Sequence, residues 1–200
     1  MTKEFFKVLR PGINTTYQDK GRENLFHIGI PFSGAMDYRN FIIANSLTGN
    51  KKNEPVIEFA YQGPHLLFNG NKANIAITGD VNFNIIRNKK ILNGKCYQSY
   101  TLINGDQIDI LSTNKSVYGY LSINGGFNVE SVWNSCSINT QAKIGPNNGQ
   151  KLQKDYNIEI LRSNSNFPIK KIKYTNFKIE YIRVIKGTNF NYFSEQGKKI

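Results

Sequence analysis

The chain has 200 residues, 39% hydrophobic and 12% aromatic, with a formal net charge of +12. That apolar content excludes an intrinsically disordered chain, and the length suits one ordinary domain or two small ones. No stretch reaches the roughly 20 apolar residues of a membrane-spanning helix. Residues 1–12 lack the apolar run of a signal peptide, so a cytoplasmic protein with no membrane partner is expected.

The two cysteines, Cys96 and Cys136, and the two histidines, His27 and His65, stand apart and form no metal-ligand spacing. No metal site or disulfide framework is expected. The positive charge raises a nucleic-acid partner. Two features weaken that reading. Lysine outnumbers arginine about three to one, alongside abundant Asn and Ile, a pattern that AT-rich codons explain. Residues 170–200 also carry eight basic and two acidic residues, half of the net charge, so the rest is only mildly basic.

In chain order, "FFKVLR" reads as a strand ended by Pro11-Gly12. Tyr17–Asp37 reads as a glycine-punctuated loop. "MDYRNFIIANSLTGN" has helical apolar spacing, with Asp37 at its start and Gly49 past its end. "PVIEFA" and "HLLFNG" are strands broken at Gly63-Pro64. "NIAITG" is apolar throughout and predicts a central strand. "FNIIRNKKIL" predicts a hairpin with Arg87–Lys89 at its tip. Asn104-Gly105-Asp106 predicts a second hairpin. "GYLSINGG", "YNIEIL" and "IEYIRVIKG" supply further strands, and a weak second helix is expected over Asn189–Gln196. Many short strands with one or two helices imply a closed or sandwiched β architecture. The polar, proline-containing residues 164–173 read as a linker between a domain over 1–163 and the incomplete beginning of a second lobe over 174–200.

The segment Tyr17–Asp37 concentrates chemistry-bearing residues. A loop feeding a helix N-terminus offers unpaired N–H groups suited to an anion. Ser33 adds a hydroxyl, Asp37 a carboxylate and Arg22 a bidentate clamp for carboxylate or phosphate. The same residues also serve as ordinary turns and caps, so the residues alone leave both readings open.

Six blocks in order decide more: "FKVLRPGINTTYQDKGR", "GIPFSGAMD", "ANSLTGN", "IEFAYQGP", "IAITG" and "YLSINGG". Together they resemble the biotin-dependent carboxyltransferase/allophanate-hydrolase subunit-2 family, which includes the C subunit of ATP-dependent 5-oxoprolinase and the KipA proteins. The resemblance implies a mainly β, cyclophilin-like β-barrel with one or two short helices, plus the start of a similar lobe. Family members run well beyond 200 residues. Asp80 stands where a small residue is usual, and Cys136 in "NSCSI" stands where a basic one is usual.

The function implied is that of a 5-oxoprolinase C subunit, opening the lactam of 5-oxo-L-proline to glutamate with A-like and B-like partner subunits and shared ATP. The alternatives are a urea- or allophanate-type carboxyltransferase component, to which biotin would come on another chain, and a non-catalytic KipA-like regulator. Within that frame Arg22 is assigned to the substrate carboxylate or phosphate, and Asp37 or Glu58 to the catalytic base. Backbone N–H groups near Gly34 and Gly79 are assigned to an oxyanion. Gln18, Asp19, Ser33, Asn45 and Thr78 complete the expected substrate-binding set.

Overall fold

The computed structural model describes residues 3–161, 167–173, 181 and 184–199. Eleven strands form two antiparallel sheets among these residues. The larger has the order β11-β1-β4-β9-β6-β7 and the smaller β2-β3-β10-β5-β8. The first contains β1 (Phe5–Arg10), β4 (His65–Asn69), β6 (Val81–Arg87), β7 (Lys90–Asn93), β9 (Gln107–Thr113) and β11 (Asn157–Glu159). The second contains β2 (Asn14–Gln18), β3 (Val56–Ala60), β5 (Lys72–Thr78), β8 (Ser99–Ile103) and β10 (Tyr118–Ile123). Phe6, Phe68, Ile108 and Ile110 of one sheet meet Phe59, Ile75, Ile77 and Leu121 of the other in one apolar core.

One α-helix, α1 (Tyr38–Thr48), lies on the outer face of the smaller sheet, against β5 and β10. Phe41 and Ala44 bury there with Val56 and Tyr120. Covering that face buries β5 and β10 on both sides; β3 is buried on both sides too, with Glu58 interrupting its apolar run. In β6, only one face is buried and alternate residues are exposed. Asp37 caps the helix, its Oδ1 accepting from the Asn40 N–H at 3.0 Å. Gly49 ends it at φ +72°, with its N–H returned to the last turn.

Several elements differ from the sequence expectations. β2 has no counterpart among the sequence expectations: its five residues pair along β3, and its last two, Tyr17 and Gln18, begin the stretch expected as a loop over Tyr17–Asp37. The Asn104–Asp106 turn joins β8 to β9, but these two do not form a hairpin. β8 pairs with β5, whereas β9 pairs with β4 and β6. The turn therefore carries the chain from one sheet to the other, a choice that core packing makes and the turn residues do not. The second α-helix is replaced by 3-10 turns at Phe190–Tyr192 and Gly197–Lys199.

Residues 167–172 run beside β8, with the Ser99 N–H donating to the Lys170 carbonyl at 2.8 Å and the Ile172 N–H to that of Tyr97 at 2.9 Å. Of the strand expected over residues 179–187, residues 179, 180, 182 and 183 lie outside the described residues, and residues 184–187 are described but form no strand. No described helix is long and apolar enough to cross a membrane.

Candidate functional site

Strand alternation sets the site. In β3, Ile57 and Phe59 point into the core, so Glu58 points to the helix-side face. Thr16 of β2 and Tyr120 of β10 are its direct cross-strand neighbours. α1 covers only part of that face. Beside the helix a cleft of about 230 Å³ remains, lined by β2 (Asn14, Thr16, Gln18), Glu58, Tyr118, the turn around Ser33–Met36 and the loop 138–141.

Glu58 is its carboxyl group. Only 5% of the residue is exposed. Its Oε2 accepts the Met36 N–H at 2.8 Å, and the Tyr120 hydroxyl also hydrogen-bonds to it. Burial raises its pKa above the ordinary carboxyl range. The two hydrogen bonds oppose that rise, and the Asp37 charge adds to it. Tyr120 in turn accepts the Asp37 N–H at 2.6 Å. One hydroxyl thus ties the helix start to the acid.

The remaining lining is uncharged and, apart from Gly34, Met36 and Ile138, polar. Gln18 donates its amide to Thr16 Oγ1 and to the Ile138 carbonyl, each at 2.9 Å. Ser33, at φ +59°, accepts from Asn139. Gly34 sits at φ +91°, where a Cβ would lie 2.9 Å from the Lys20 carbonyl oxygen, so the turn needs glycine there. Among the described residues no lysine or arginine lines the cleft.

Four of the ten expected residues therefore meet here: Gln18, Ser33, Gly34 and Glu58. The others do not line the cleft. Asp19 is buried behind it. Its Oδ1 accepts from the Gly21 N–H and from the hydroxyls of Ser135 and Ser137 at 2.6–2.8 Å, and its Oδ2 accepts the Cys136 N–H at 2.7 Å. Arg22, 1% exposed, donates to the Val132 and Ser137 carbonyls at 3.1 and 2.6 Å. Burial pulls its guanidinium pKa down, while the nearby Asp19 charge pulls it back up. The geometry turns this arginine inward, as a brace for the 132–137 loop, and does not bring it to the cleft as a clamp.

Asp37 is occupied as the helix cap, with Asn40 bound to both of its oxygens. The helix N-terminus expected to receive an anion thus holds the chain's own carboxylate. Thr78 shares the face of Glu58 but lies under α1, donating to the Asn40 carbonyl at 2.8 Å. The Gly79 N–H is bound to the Tyr97 hydroxyl at 3.2 Å. Asn45 is fully buried and joins α1 to the Glu54 carbonyl and Ser122. The loop 138–141 is the part of the site that sequence reasoning missed. Its Asn139, Thr140 and Gln141 sit in a stretch with no strand or helix signal, far from the rest of the site in the chain. Among the described residues no cluster of metal-ligating side chains is present.

The family model described as "Carboxyltransferase domain, subdomain A and B" matches residues 28–200. The chain belongs to this carboxyltransferase family. A urea amidolyase of Lachancea kluyveri is 35% identical over 149 residues, 74% of this chain and 8% of that protein. The C subunit of a 5-oxoprolinase from Haemophilus influenzae is 34% identical over 138 residues, 69% of this chain and 43% of that protein. The carboxyltransferase fold is also seen in solved structures. TTHA0988 superimposes with a TM-score of 0.76 at 25% identity, covering 87% of this chain and 34% of that one. The urea amidolyase of K. lactis gives 0.74 at 30%, covering 86% and 10%. The chain spans less than half the length of these relatives.

Proposed function

We propose that this carboxyltransferase-family chain is the C-type component of an ATP-dependent 5-oxoprolinase complex, contributing the cleft that holds the lactam. The observation that carries the reading is the lining itself: one buried carboxyl, Glu58, among carboxamides and hydroxyls. Such a lining offers paired donors and acceptors to an amide, and a carboxyl group that burial makes hold its proton to higher pH than an exposed one would. The likeness to the 5-oxoprolinase C subunit of Haemophilus influenzae supports it.

ATP does not fit this cleft, because no cationic side chain lines it to hold phosphates. In this proposal the nucleotide is bound by the A-like or B-like partners, and no step is routed through it here. The substrate carboxylate must likewise be met by a cation from outside the lining. Glu58 takes the base role that the sequence divided between two carboxylates, since Asp37 is committed to the helix cap.

The same lack of a cation favours a second reading, a urea-type carboxyltransferase, whose acceptor is neutral; the identity to a urea amidolyase points the same way. Reconstitution with candidate A-like and B-like partners separates the two. ATP-dependent release of glutamate from 5-oxoproline supports the first. Bicarbonate incorporation into urea, dependent on a biotin-carrying chain, supports the second. Neither activity in a complex that assembles would refute both and leave a KipA-like regulator.

A further inference from the structure

A second concavity lies well away from the cleft in the chain's topology. A groove of about 420 Å³ is lined chiefly by Ile85, Arg87, Lys90, Ile91, Leu92 and Tyr100. It sits where the two sheets end, since β7 and β8 are the terminal strands of their sheets. Among the described residues no ladder joins them.

The hairpin geometry fixes which groups the β7 edge presents. Asn88 and Lys89 form its two-residue tip at φ +48° and +64°, as a type I′ turn requires. Arg87 and Lys90 are then the hydrogen-bonded pair next to the turn. Alternation makes Ile85 and Leu92 the next bonded pair. The backbone N–H and C=O of Ile91 and Asn93 therefore point away from β6, toward the open side. All four residues of β7 are exposed. Ile91 and Leu92, at 65% and 55% exposure, add apolar surface beside this row of donors and acceptors.

Among the described residues, the charged side chains that line the groove are cationic. Arg87 and Lys90 line it, with Lys89 and Lys95 adjacent in the chain and Lys170 and Lys171 beside β8. Among the described residues no carboxylate lines it. Asp106, the acid that touches Arg87, is buried and gripped through Nε and Nη2 at 2.9 and 2.6 Å. An open strand edge, an apolar floor and a cationic rim together describe one kind of occupant.

We propose that this edge binds an extended segment of a partner protein, alternating acidic and apolar residues, which adds to β7 as a further strand. A second copy of the chain is the poorer occupant, because pairing two β7 edges would bring Arg87, Lys89 and Lys90 against their own kind. The inference is independent of the reaction assigned to the cleft.

The test uses the intact 200-residue chain and a fluorescein-labelled peptide of about eight alternating glutamates and valines, titrated by fluorescence anisotropy. Saturable, salt-sensitive binding is expected, and none to the lysine–valine counterpart. Ile91→Pro removes an outward N–H without touching the ladder to β6; it is expected to weaken binding about tenfold or more. Lys90→Glu is expected to weaken it similarly and to admit the lysine–valine peptide. Hydrogen exchange at the Ile91 and Asn93 amides should slow on adding the glutamate peptide, and protection of the β6–β7 ladder amides checks that the hairpin is intact in each variant. Equal binding of both peptides, binding of neither, or an Ile91→Pro variant that binds like the parent would overturn the proposal. So would exchange already protected without peptide, or a dimer in sedimentation that Ile91→Pro abolishes.

Discussion

Replacing Asp19 by alanine removes the acceptor that ties the end of β2 to the loop 132–137. Four donors converge on its two oxygens, all within 2.8 Å: the N–H groups of Gly21 and Cys136 and the hydroxyls of Ser135 and Ser137. The residue is 3% exposed, and Ser135 and Ser137 are buried with it. A hydrogen bond to a charged acceptor contributes about 1.5–3 kcal/mol, so four would sum to roughly 6–12 kcal/mol if additive. They share one group, and water can enter once the side chain is gone, so about 4–6 kcal/mol is the expected loss. Arg22 would also lose the neighbouring charge that offsets its burial. Against a typical domain stability of about 5–15 kcal/mol, a loss of that size would leave a domain at the low end of the range barely folded at about 25 °C. Urea unfolding followed by far-UV circular dichroism measures the global loss. The single tryptophan, Trp133, half-exposed on the braced loop, reports the local one. Asp19→Asn, which keeps one acceptor oxygen, should lose about half as much. A loss below about 1 kcal/mol for alanine, with Trp133 emission unchanged, would refute the view that Asp19 is a brace.

Glu58→Gln in the assembled complex should lower turnover about 100-fold or more, the scale of a lost general base, with folding intact by circular dichroism. Because the folded state holds the Glu58 proton to higher pH than the unfolded chain does, its contribution to stability is fully present at acid pH. That contribution falls as pH rises through the window above the ordinary carboxyl pKa. Denaturation profiles of the parent and Glu58→Gln should therefore diverge toward neutral pH, with the glutamine variant the more stable there. Gly34→Ala should cost about 2 kcal/mol or more through its positive φ and the close Lys20 carbonyl, read from the unfolding midpoint. Asn45→Ala removes three hydrogen bonds inside the protein and should cost about 2–3 kcal/mol. KM in the complex should not change, because Asn45 does not line the cleft.

The sequence alone determined the local features whose causes are local. The Asp37 cap, the Gly49 stop and the apolar spacing between them set α1 within a residue or two. Arg87–Lys89 marked the tip of the β6–β7 hairpin, and the apolar run Ile75–Ile77 marked a strand covered on both faces. The block from Phe6 to Arg22 and the block from Gly29 to Asp37 carried the family. Where each polar side chain points was decided only by tertiary structure. Asp19 and Arg22 stand in the same motif as Gln18, yet the first two turn inward to hold a loop more than a hundred residues away. Thr78 and Glu58 share a sheet face, yet the helix covers one and leaves the other at the cleft. The Asn104–Asp106 turn has a hairpin's residues, but the core needed a strand in each sheet. A turn motif or a charged residue states only what its nearest neighbours permit. Burial and partners are settled by segments that meet through the fold, and no short window of sequence contains both sides of that meeting.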